Sequence, residues 1–218
     1  MSAYFTLTLD TTAPSGAKIT IPSPSASRSV TATLSATGAT QMKLYGDIVS
    51  GTSSSTKITE SAAEWETYAP SKAVTLASGD GVKTVYVKFR DAVGNETTAA
   101  SATVTLDTKA PVVTVTGPDV STISKVSGFD ECAFSFSADE AFVQYEVRVV
   151  PESGSAHTAG TVIGTANGSS NMSGSGSYAA SQAISCVIKG ADLEKASSGD
   201  GAKIIKVFVK DATGNWSV

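Results

Sequence analysis

Four oxygen-bearing side chains stand at turn positions of the 218-residue sequence: Asp80, Asp107, Asp211 and Asn215. Oxygen ligands without nitrogen or sulfur are the set that Ca²⁺ prefers in proteins. Aspartate and asparagine also have a simpler use in turns, because their side chains accept hydrogen bonds from the backbone of the turn itself. The residue types therefore leave two interpretations open, a shared calcium site and a set of turns that each close on themselves.

Residues suited to enzymatic catalysis are sparse. The only histidine, His157, lies in a Ser/Gly-rich stretch without a neighbouring cysteine or carboxylate arrangement, so we expect an exposed loop residue. The carboxylate pairs Asp130-Glu131 and Asp139-Glu140 are adjacent in sequence, and adjacent side chains on a strand point to opposite faces. No Gly-rich loop leads from a strand into a helix to cradle a phosphate. The sequence predicts a protein that is not an enzyme and has no cofactor besides the calcium of the first interpretation.

The sequence elements that would position these residues occur twice along the chain. The stretch GDGVKTVYVKFRDAVGNET begins at Gly79, and GDGAKIIKVFVKDATGNWS begins at Gly199. In both, apolar residues alternate with polar ones, which is the period of a half-buried strand, and the strand runs into Asp-Ala-x-Gly-Asn, whose glycine we expect at a positive φ. A second repeat, TLTLDTTAP and TVTLDTKAP, ends at Pro14 and at Pro111. The sequence therefore predicts two similar units.

Short alternating strands, turn signals between them and about a hundred residues per unit predict an all-β protein of two tandem immunoglobulin-like (Ig-like) β-sandwich domains. We place the first domain at residues 11–107 and the second at residues 108–218, with a Ser/Gly-rich insertion around residues 152–177. Residues 1–10 resemble the final strand of the first domain, and the second domain shows no final strand of its own.

This fold predicts where the oxygen-bearing residues lie. In an Ig-like sandwich the turn before the final strand lies at the end where the chain enters, and the turn before the penultimate strand lies at the exit. That geometry places Asp80 of the first domain and Asp107 of the linker at the same junction as Asp211 and Asn215 of the second domain. It predicts a calcium site between the domains, with the self-closing turns as the alternative.

A sandwich without its final strand exposes apolar side chains and unpaired backbone groups, so we expect a strand from elsewhere to fill the gap. One candidate is the segment from Ala3 to Asp10 of a neighbouring copy, which would link subunits head to tail. A second is a strand of a different protein. A third is a natural chain that continues past Val218 into its own strand.

The Asp-Thr-x-Ala-Pro boundary, a tryptophan such as Trp65 and the strand that ends in Asp-x-x-Gly-Asn resemble the bacterial Ig-like repeat modules. Such modules occur in large bacterial surface adhesins and in structural proteins of bacteriophage virions. The resemblance covers both domains, although the second has no tryptophan at the position that matches Trp65. The resemblance implies a role as spacer, decoration or adhesive tip. It also implies calcium at the junction between domains, because related adhesin modules stiffen their junctions with calcium.

Charge and the N-terminal sequence narrow the choice of partners. A net charge of -4 and a pI near 5.0 provide no basic stripe, so we expect neither nucleic acid nor membrane insertion. The first basic residue is Lys18, so the N-terminus lacks the pattern of a secretory signal. We therefore expect synthesis in a host cytoplasm and a place in a virion.

Together these observations predict a non-enzymatic structural or decoration protein of a bacteriophage particle, in its capsid, neck or tail. Its expected partners are other virion proteins or copies of itself, through strand addition at the open edge of the second domain. The alternative is a recognition or adhesion module at a bacterial cell surface that binds a host glycan or protein, or a fragment of a surface adhesin.

Overall fold

The structure is a computed structural model that describes residues 4–51 and 55–218. The chain divides into two compact units, Met1–Thr108 and Lys109–Val218. The described residues are almost entirely strands and loops, with one helix of seven residues. None of the described helical structure is long and apolar enough to cross a membrane.

The first unit is built from antiparallel strands with apolar side chains on alternate positions. Its strands are β1 (Ser15–Thr20), β2 (Ser29–Thr37), β3 (Gln41–Val49), β4 (Lys57–Ile58), β5 (Glu66–Thr67), β6 (Ser71–Leu76), β7 (Gly81–Arg90) and β8 (Ala100–Leu106). The pairing order is β1-β2-β6-β3-β7-β8, and β4 and β5 pair with β3. The strands β1, β2 and β6 form one layer and β3, β7 and β8 the other, with the β3-β6 pairing limited to the ends of the two strands.

The core of the first unit lies between these two layers. Val30 and Leu34 of β2 point inward because alternate residues of a strand face the same side. They pack in one cluster with Val85, Val87 and Phe89 of β7, all three of which are fully buried. The prediction of inward-facing Val85, Val87 and Phe89 from their alternation is confirmed.

The second unit repeats this arrangement with fewer strands. Its elements are β9 (Val113–Thr116), β10 (Glu131–Ala138), β11 (Phe142–Val150), β12 (Thr161–Val162), β13 (Ser173–Tyr178), β14 (Ile184–Lys189), α1 (Gly190–Ala196) and β15 (Ile204–Lys210). One sheet has the order β14-β10-β9, and in the other β11 pairs with β12, β13 and β15. A core of aromatic and aliphatic side chains fills the space between the two sheets. The predicted class, all-β with Ig-like sandwiches, is confirmed.

The Ser/Gly-rich insertion is an ordered part of the second unit. It contributes β12 and most of β13, both paired to β11, although small residues dominate its sequence. Ile163 and Met172 anchor it, since each is almost completely buried in the core. Asp192 of α1 holds the turn between them by accepting hydrogen bonds from the backbone of Asn167 and Ser169.

The N-terminal segment differs from its expected strand conformation. The described part, residues 4–10, forms no strand, and Ala3 lies outside the described residues. A strand is defined by its pairing, and no described strand of the chain pairs with this segment. The side-chain amide of Asn95 in the first unit donates a hydrogen bond of 3.2 Å to the carbonyl of Asp10.

Candidate functional site

The two Asp-x-x-Gly-Asn corners are closed hydrogen-bonded turns. In the second unit Oδ1 of Asp211 accepts bonds from the backbone N–H groups of Thr213, Gly214 and Asn215, at 2.6 to 2.9 Å. The side-chain amide of Asn215 donates to the other carboxylate oxygen. Gly214 has a φ of 105° and Gly94, its counterpart, a φ of 95°, as the sequence predicts.

These hydrogen bonds govern the acidity of the corner carboxylates. Burial acts to raise the pKa of Asp211, but the hydrogen bonds from Asn215, Thr213 and Gly214 outweigh it and hold the pKa below its usual value. In the first unit the hydrogen bond from the Asn95 side chain is the main cause of a lowered pKa at Asp91. Both carboxylates are therefore ionised at neutral pH and bound within their own turns.

The other two candidate calcium ligands lie in the first unit. Oδ1 of Asp80 accepts bonds from the backbone N–H of Thr108 at 3.0 Å and from its hydroxyl at 2.9 Å. The backbone N–H of Asp107 donates to the carbonyl of Ser25 at 3.0 Å. In residues 4–51 and 55–218 no group of three or more His, Cys, Asp or Glu side chains is arranged to hold a metal ion. A calcium site that joins Asp80 and Asp107 with Asp211 and Asn215 stays an untested interpretation, and self-closing turns stay its alternative.

The histidine differs from its expected position as an exposed loop residue. His157 is half-buried, and its ring stacks on Trp216 with 4.3 Å between ring centroids and 6° between planes. Lys210 Nζ lies 5.8 Å from the centroid of the same tryptophan ring. His157 therefore packs against the corner at the end of β15, a contact that its distance in sequence from Trp216 concealed.

One carboxylate pair also differs from its expected arrangement. Asp130 precedes β10 instead of lying within it, so the opposite-face rule for strands does not separate it from Glu131. Both carboxylates contact Nζ of Lys189, Asp130 at 3.1 Å, and both partners raise the pKa of Lys189. In the second pair, Asp139 accepts a bond from the Val112 backbone at 2.7 Å. These contacts are ion pairs and a hydrogen bond between segments that are distant in sequence.

The two cysteines are poor nucleophiles. Burial raises the pKa of the Cys186 thiol to about 11, and burial is also the main cause of a raised pKa at Cys132. The thiolate is the reactive form, so both thiols are held in the unreactive form at neutral pH. Both are free, and Cys186 is buried while Cys132 is half-buried.

The outer edge of β15 is the feature of the second unit that most resembles a binding site. β15 pairs along one side with β11, from Ile204 opposite Val150 to Lys210 opposite Gln144. On its other side the chain turns back so that Ser217 donates to the carbonyl of Val209, and Lys210 forms a bridge with Trp216. Among the described residues no strand pairs with this side of β15 between Ile204 and Phe208.

The first unit shows what a paired edge looks like at the same place. Its strand β7 pairs with β3 on one side and with β8 on the other, from Gly81 opposite Leu106 to Val87 opposite Ala100. Residues 81–83 belong to β7, whereas residues 201–203, at the 120-residue offset, belong to no strand. Residues 81–83 pair with β8 and with no other strand of the first unit. Residues 201–203 have no described strand in that place, and this explains why β15 begins later than β7.

A groove lies between the two sheets of the second unit, beside this edge of β15. The groove has a volume of about 800 Å³, and its apolar lining includes Val115, Ile123, Phe134, Ile205 and Val207. In the first unit the corresponding space is filled by inward side chains of β8, of which Val104 is completely and Leu106 almost completely buried. The second unit therefore has a groove where the first has a strand.

The corners that lead into β7 and β15 are otherwise alike. Lys83 Nζ donates to the carbonyl of Ser78 at 3.3 Å, and Lys203 Nζ donates to the carbonyl of Ser198 at 3.1 Å. Lys83 is buried under its neighbours, while Lys203 is half-exposed. The two units thus share the local geometry and differ in the strand that covers it.

Comparisons with known proteins give structural likeness alone. No protein-family model matches the chain, and no curated protein is similar to it in sequence. Among solved structures, fibronectin(III)-like modules of Clostridium thermocellum CbhA match 92% of this chain and 89% of their own at 14% identity, with a TM-score of 0.44. The D00-D0 domain of intimin matches 92% of this chain and 98% of its own at 16% identity, with a TM-score of 0.32.

A chitinase, ChiA74 from Bacillus thuringiensis, matches 92% of this chain at 12% identity, with a TM-score of 0.34. This chain spans 30% of that enzyme's length. At these identities and scores the likenesses carry no argument about function, and the Ig-like description rests on the strand order and the two-layered cores.

Proposed function

We propose that this chain is a non-enzymatic structural or decoration protein of a bacteriophage particle, in its capsid, neck or tail, that joins particle components through its Ig-like units. The observation that carries the proposal is the outer edge of β15 beside its apolar groove. An added strand would pair the backbone of this edge and cover the groove's apolar side chains in one step. Such a site binds another chain and needs no catalytic group.

The states of the reactive side chains support a role without catalysis. Burial raises the pKa of both thiols, His157 is stacked on Trp216, and Asp211 is engaged by hydrogen bonds within its own turn. Each of these groups has a structural contact that accounts for it. The proposal therefore assigns no catalytic residue and no organic cofactor.

The resemblance of the two repeated motifs to Ig-like modules of virion structural proteins supports the particle as the location. Assembly would take place in the host cytoplasm, and the partners would be other virion proteins or further copies of this chain. The open edge supports either kind of partner, because strand addition relies on backbone groups that every chain carries.

The alternative is a recognition or adhesion module at a bacterial cell surface that binds a glycan or a protein, or a fragment of a surface adhesin. The observation in its favour is a half-buried aromatic pair, His157 on Trp216, beside Lys210, since aromatic rings with nearby polar groups are common in ligand sites. The stacked histidine already covers part of the tryptophan ring, which leaves less of it for a sugar.

Localisation separates the two functions. An antibody against the purified chain would be applied to phage particles and to intact bacteria from cultures that express the gene, and the proteins of the purified particles would be identified by mass spectrometry. We expect the chain in the particles in many copies and no labelling of uninfected cell surfaces. Labelled cells with particles free of the chain would contradict the proposal, and loss of glycan binding in His157→Ala would then favour the alternative.

A further inference from the structure

The N-terminal segment is an exposed apolar strand sequence without a partner strand in the described chain. The side chains of Phe5, Leu7 and Leu9 are 85%, 84% and 85% exposed. They alternate with Thr6 and Thr8, which is the pattern of a strand with one buried and one solvated face. A row of exposed apolar side chains of this kind marks an interaction site.

The segment matches β8, the strand that fills the first unit, residue by residue at the 97-residue offset. Leu7 and Leu9 align with Val104 and Leu106, whose side chains are buried in the core of the first unit. The intervening threonines align with exposed threonines of β8. The segment thus has the inward and outward faces of β8, the strand that pairs with β7 at the edge for which β15 has no partner strand among the described residues.

We propose that residues 4–10 of one copy pair antiparallel with β15 of a second copy and complete its second unit. This inference rests on the proposed assembly role of that edge and names the occupant. The pairing of β7 with β8 gives the register through the two offsets. It places Leu9 opposite Gly201, Leu7 opposite Lys203 and Phe5 opposite Ile205.

The groove has the chemistry that this occupant requires. Leu7 and Leu9 would enter the space lined by Ile205 and Val207. In the first unit the aligned side chains of β8, Val104 and Leu106, are buried in the core beside β7 in the same way. Phe5 aligns with Ala102 of β8, which has a smaller side chain. The Phe5 ring would contact the apolar lining of the groove, which includes Phe134. The donated backbone would also extend β15 toward residue 201, where β7 begins in the first unit.

A polar contact would fix the register at the end of the donated strand. In the first unit the Thr108 hydroxyl donates to Asp80, and these residues align with Thr11 and Asp200. Thr11 and Asp200 are both exposed, and Asp200 belongs to the lining of the groove. Donation would bring the Thr11 hydroxyl of one copy to the carboxylate of Asp200 in the other.

The resulting assembly is a head-to-tail chain of copies. Donor and acceptor are different surfaces, so each copy offers one free donor and one free acceptor, and the contact propagates unless it closes into a ring. The connection between copies, TLTLDTTAP, would repeat the connection between units, TVTLDTKAP.

The first test measures the mass of the 218-residue chain in solution by light scattering across a concentration series. We expect masses above 22.1 kDa that rise with concentration. Leu7→Asp should weaken association by more than about tenfold because a charge would enter the groove, whereas the matched control Thr8→Asp on the outer face should associate like the parent chain. Leu7 is exposed in the single chain, so its replacement leaves the fold intact, which circular dichroism verifies.

The second test fixes the register by disulfide formation between copies. Thr6→Cys combined with Ile204→Cys places two outward side chains opposite each other, and air oxidation should yield a ladder of covalent multimers. Thr6→Cys with Ile205→Cys puts the thiols on opposite faces and should yield no ladder, as should each single variant. Equal ladders from both pairs, or none from either, would overturn the proposed pairing.

The outcomes separate the two proposals. If the chain is found in particles but Leu7→Asp associates like the parent chain, the donor segment is wrong and the assembly role stands. If the ladder forms but particles lack the chain, the donor segment stands and the particle function is wrong. A mass of 22.1 kDa at every concentration overturns the inference outright.

Discussion

The side-chain amide of Asn215 donates to the Asp211 carboxylate at 2.8 Å, and Asn95 makes a bond of the same length to Asp91 at the equivalent corner of the first unit. The two corners therefore share one hydrogen-bonding arrangement, in which a carboxylate accepts hydrogen bonds from groups within the four residues that follow it. Asp211 is the more buried of the two, with 3% of its surface exposed. The second unit should depend on its corner more strongly.

Replacement of this carboxylate should change how the second unit responds to acid. The pKa of Asp211 is lowered in the folded chain, so its contribution is present above the unfolded value of about 3.9 and is lost as the pH falls through the lower folded value. Asp211→Asn should cost roughly 1 to 3 kcal/mol at neutral pH and make the acid limb of unfolding shallower. The pKa values of Asp130, Asp139 and Asp192 are also lowered, so part of the loss of stability in acid will remain in this variant.

The measurement uses the distribution of tryptophans, one in each unit. A Trp65→Phe background leaves Trp216, beside the corner, as the reporter of the second unit. Denaturant midpoints are recorded from pH 2 to pH 7. Asp91→Asn serves as the control, because it removes the equivalent carboxylate from the other unit. An unchanged pH dependence in Asp211→Asn would mean that the carboxylate is not stabilised by its turn.

Calcium should not stabilise the chain through the Asp211 corner. Oδ1 of Asp211 already accepts bonds from three backbone N–H groups and from the Thr213 hydroxyl, and Oδ2 accepts from Asn215. A carboxylate has about four lone-pair sites, so Ca²⁺ would have to displace bonds that define the turn. We expect no heat on calorimetric titration and no rise in Tm. A rise in Tm with calcium that Asp80→Asn or Asp211→Asn removes would instead establish the predicted site between the domains.

Charges introduced on the inner face of the paired strands should have unequal effects. Val87 is completely buried between two layers, so Val87→Asp should cost about 3 kcal/mol or more and unfold the first unit. Val207, its counterpart, retains 9% exposure and borders the groove, so Val207→Asp should cost less. Thermal melts in Trp216→Phe and Trp65→Phe backgrounds report the two units separately. Equal losses would show that the groove gives no access to water.

The turn within the insertion should depend on one carboxylate of α1. Asp192 is 1% exposed and accepts bonds from Asn167 and Ser169, which outweigh burial and lower its pKa. Asp192→Ala leaves the donors unpaired, so we expect a loss of about 2 kcal/mol and faster proteolysis at residues 165–170. Glu194→Ala, on the same helix, is the matched control. Equal proteolysis of both variants would contradict the role of Asp192.

Sequence patterns predicted the parts of this protein that depend on neighbours along the chain. The alternation through Val85, Val87 and Phe89 defines a face because strand side chains alternate whatever the partner strand is. The corners at Gly94 and Gly214 follow from turn chemistry within five residues. Such local rules predicted the all-β class and the Ig-like units, and the difference between the two repeats predicted an open edge in the second unit.

Contacts between distant residues escaped these rules. Nothing in the sequence indicates that His157 stacks on Trp216, or that Asp130 and Glu131 converge on Lys189, because each contact depends on how separate loops pack. The sequence also did not predict how the Ser/Gly-rich insertion packs. Its small residues carry no apolar period, yet Ile163 and Met172 bury it in the core.

The sequence alone determined which segments carry the alternating pattern of a strand and which of their residues are apolar, since both are properties of short stretches of chain. Only the tertiary structure decided which strand edges are paired. Pairing requires two segments to meet, so the same sequence pattern is a buried strand as β8 and an exposed segment at residues 4–10. For the same reason Val104 and Leu106 fill a core, while the matching Leu7 and Leu9 remain exposed to solvent.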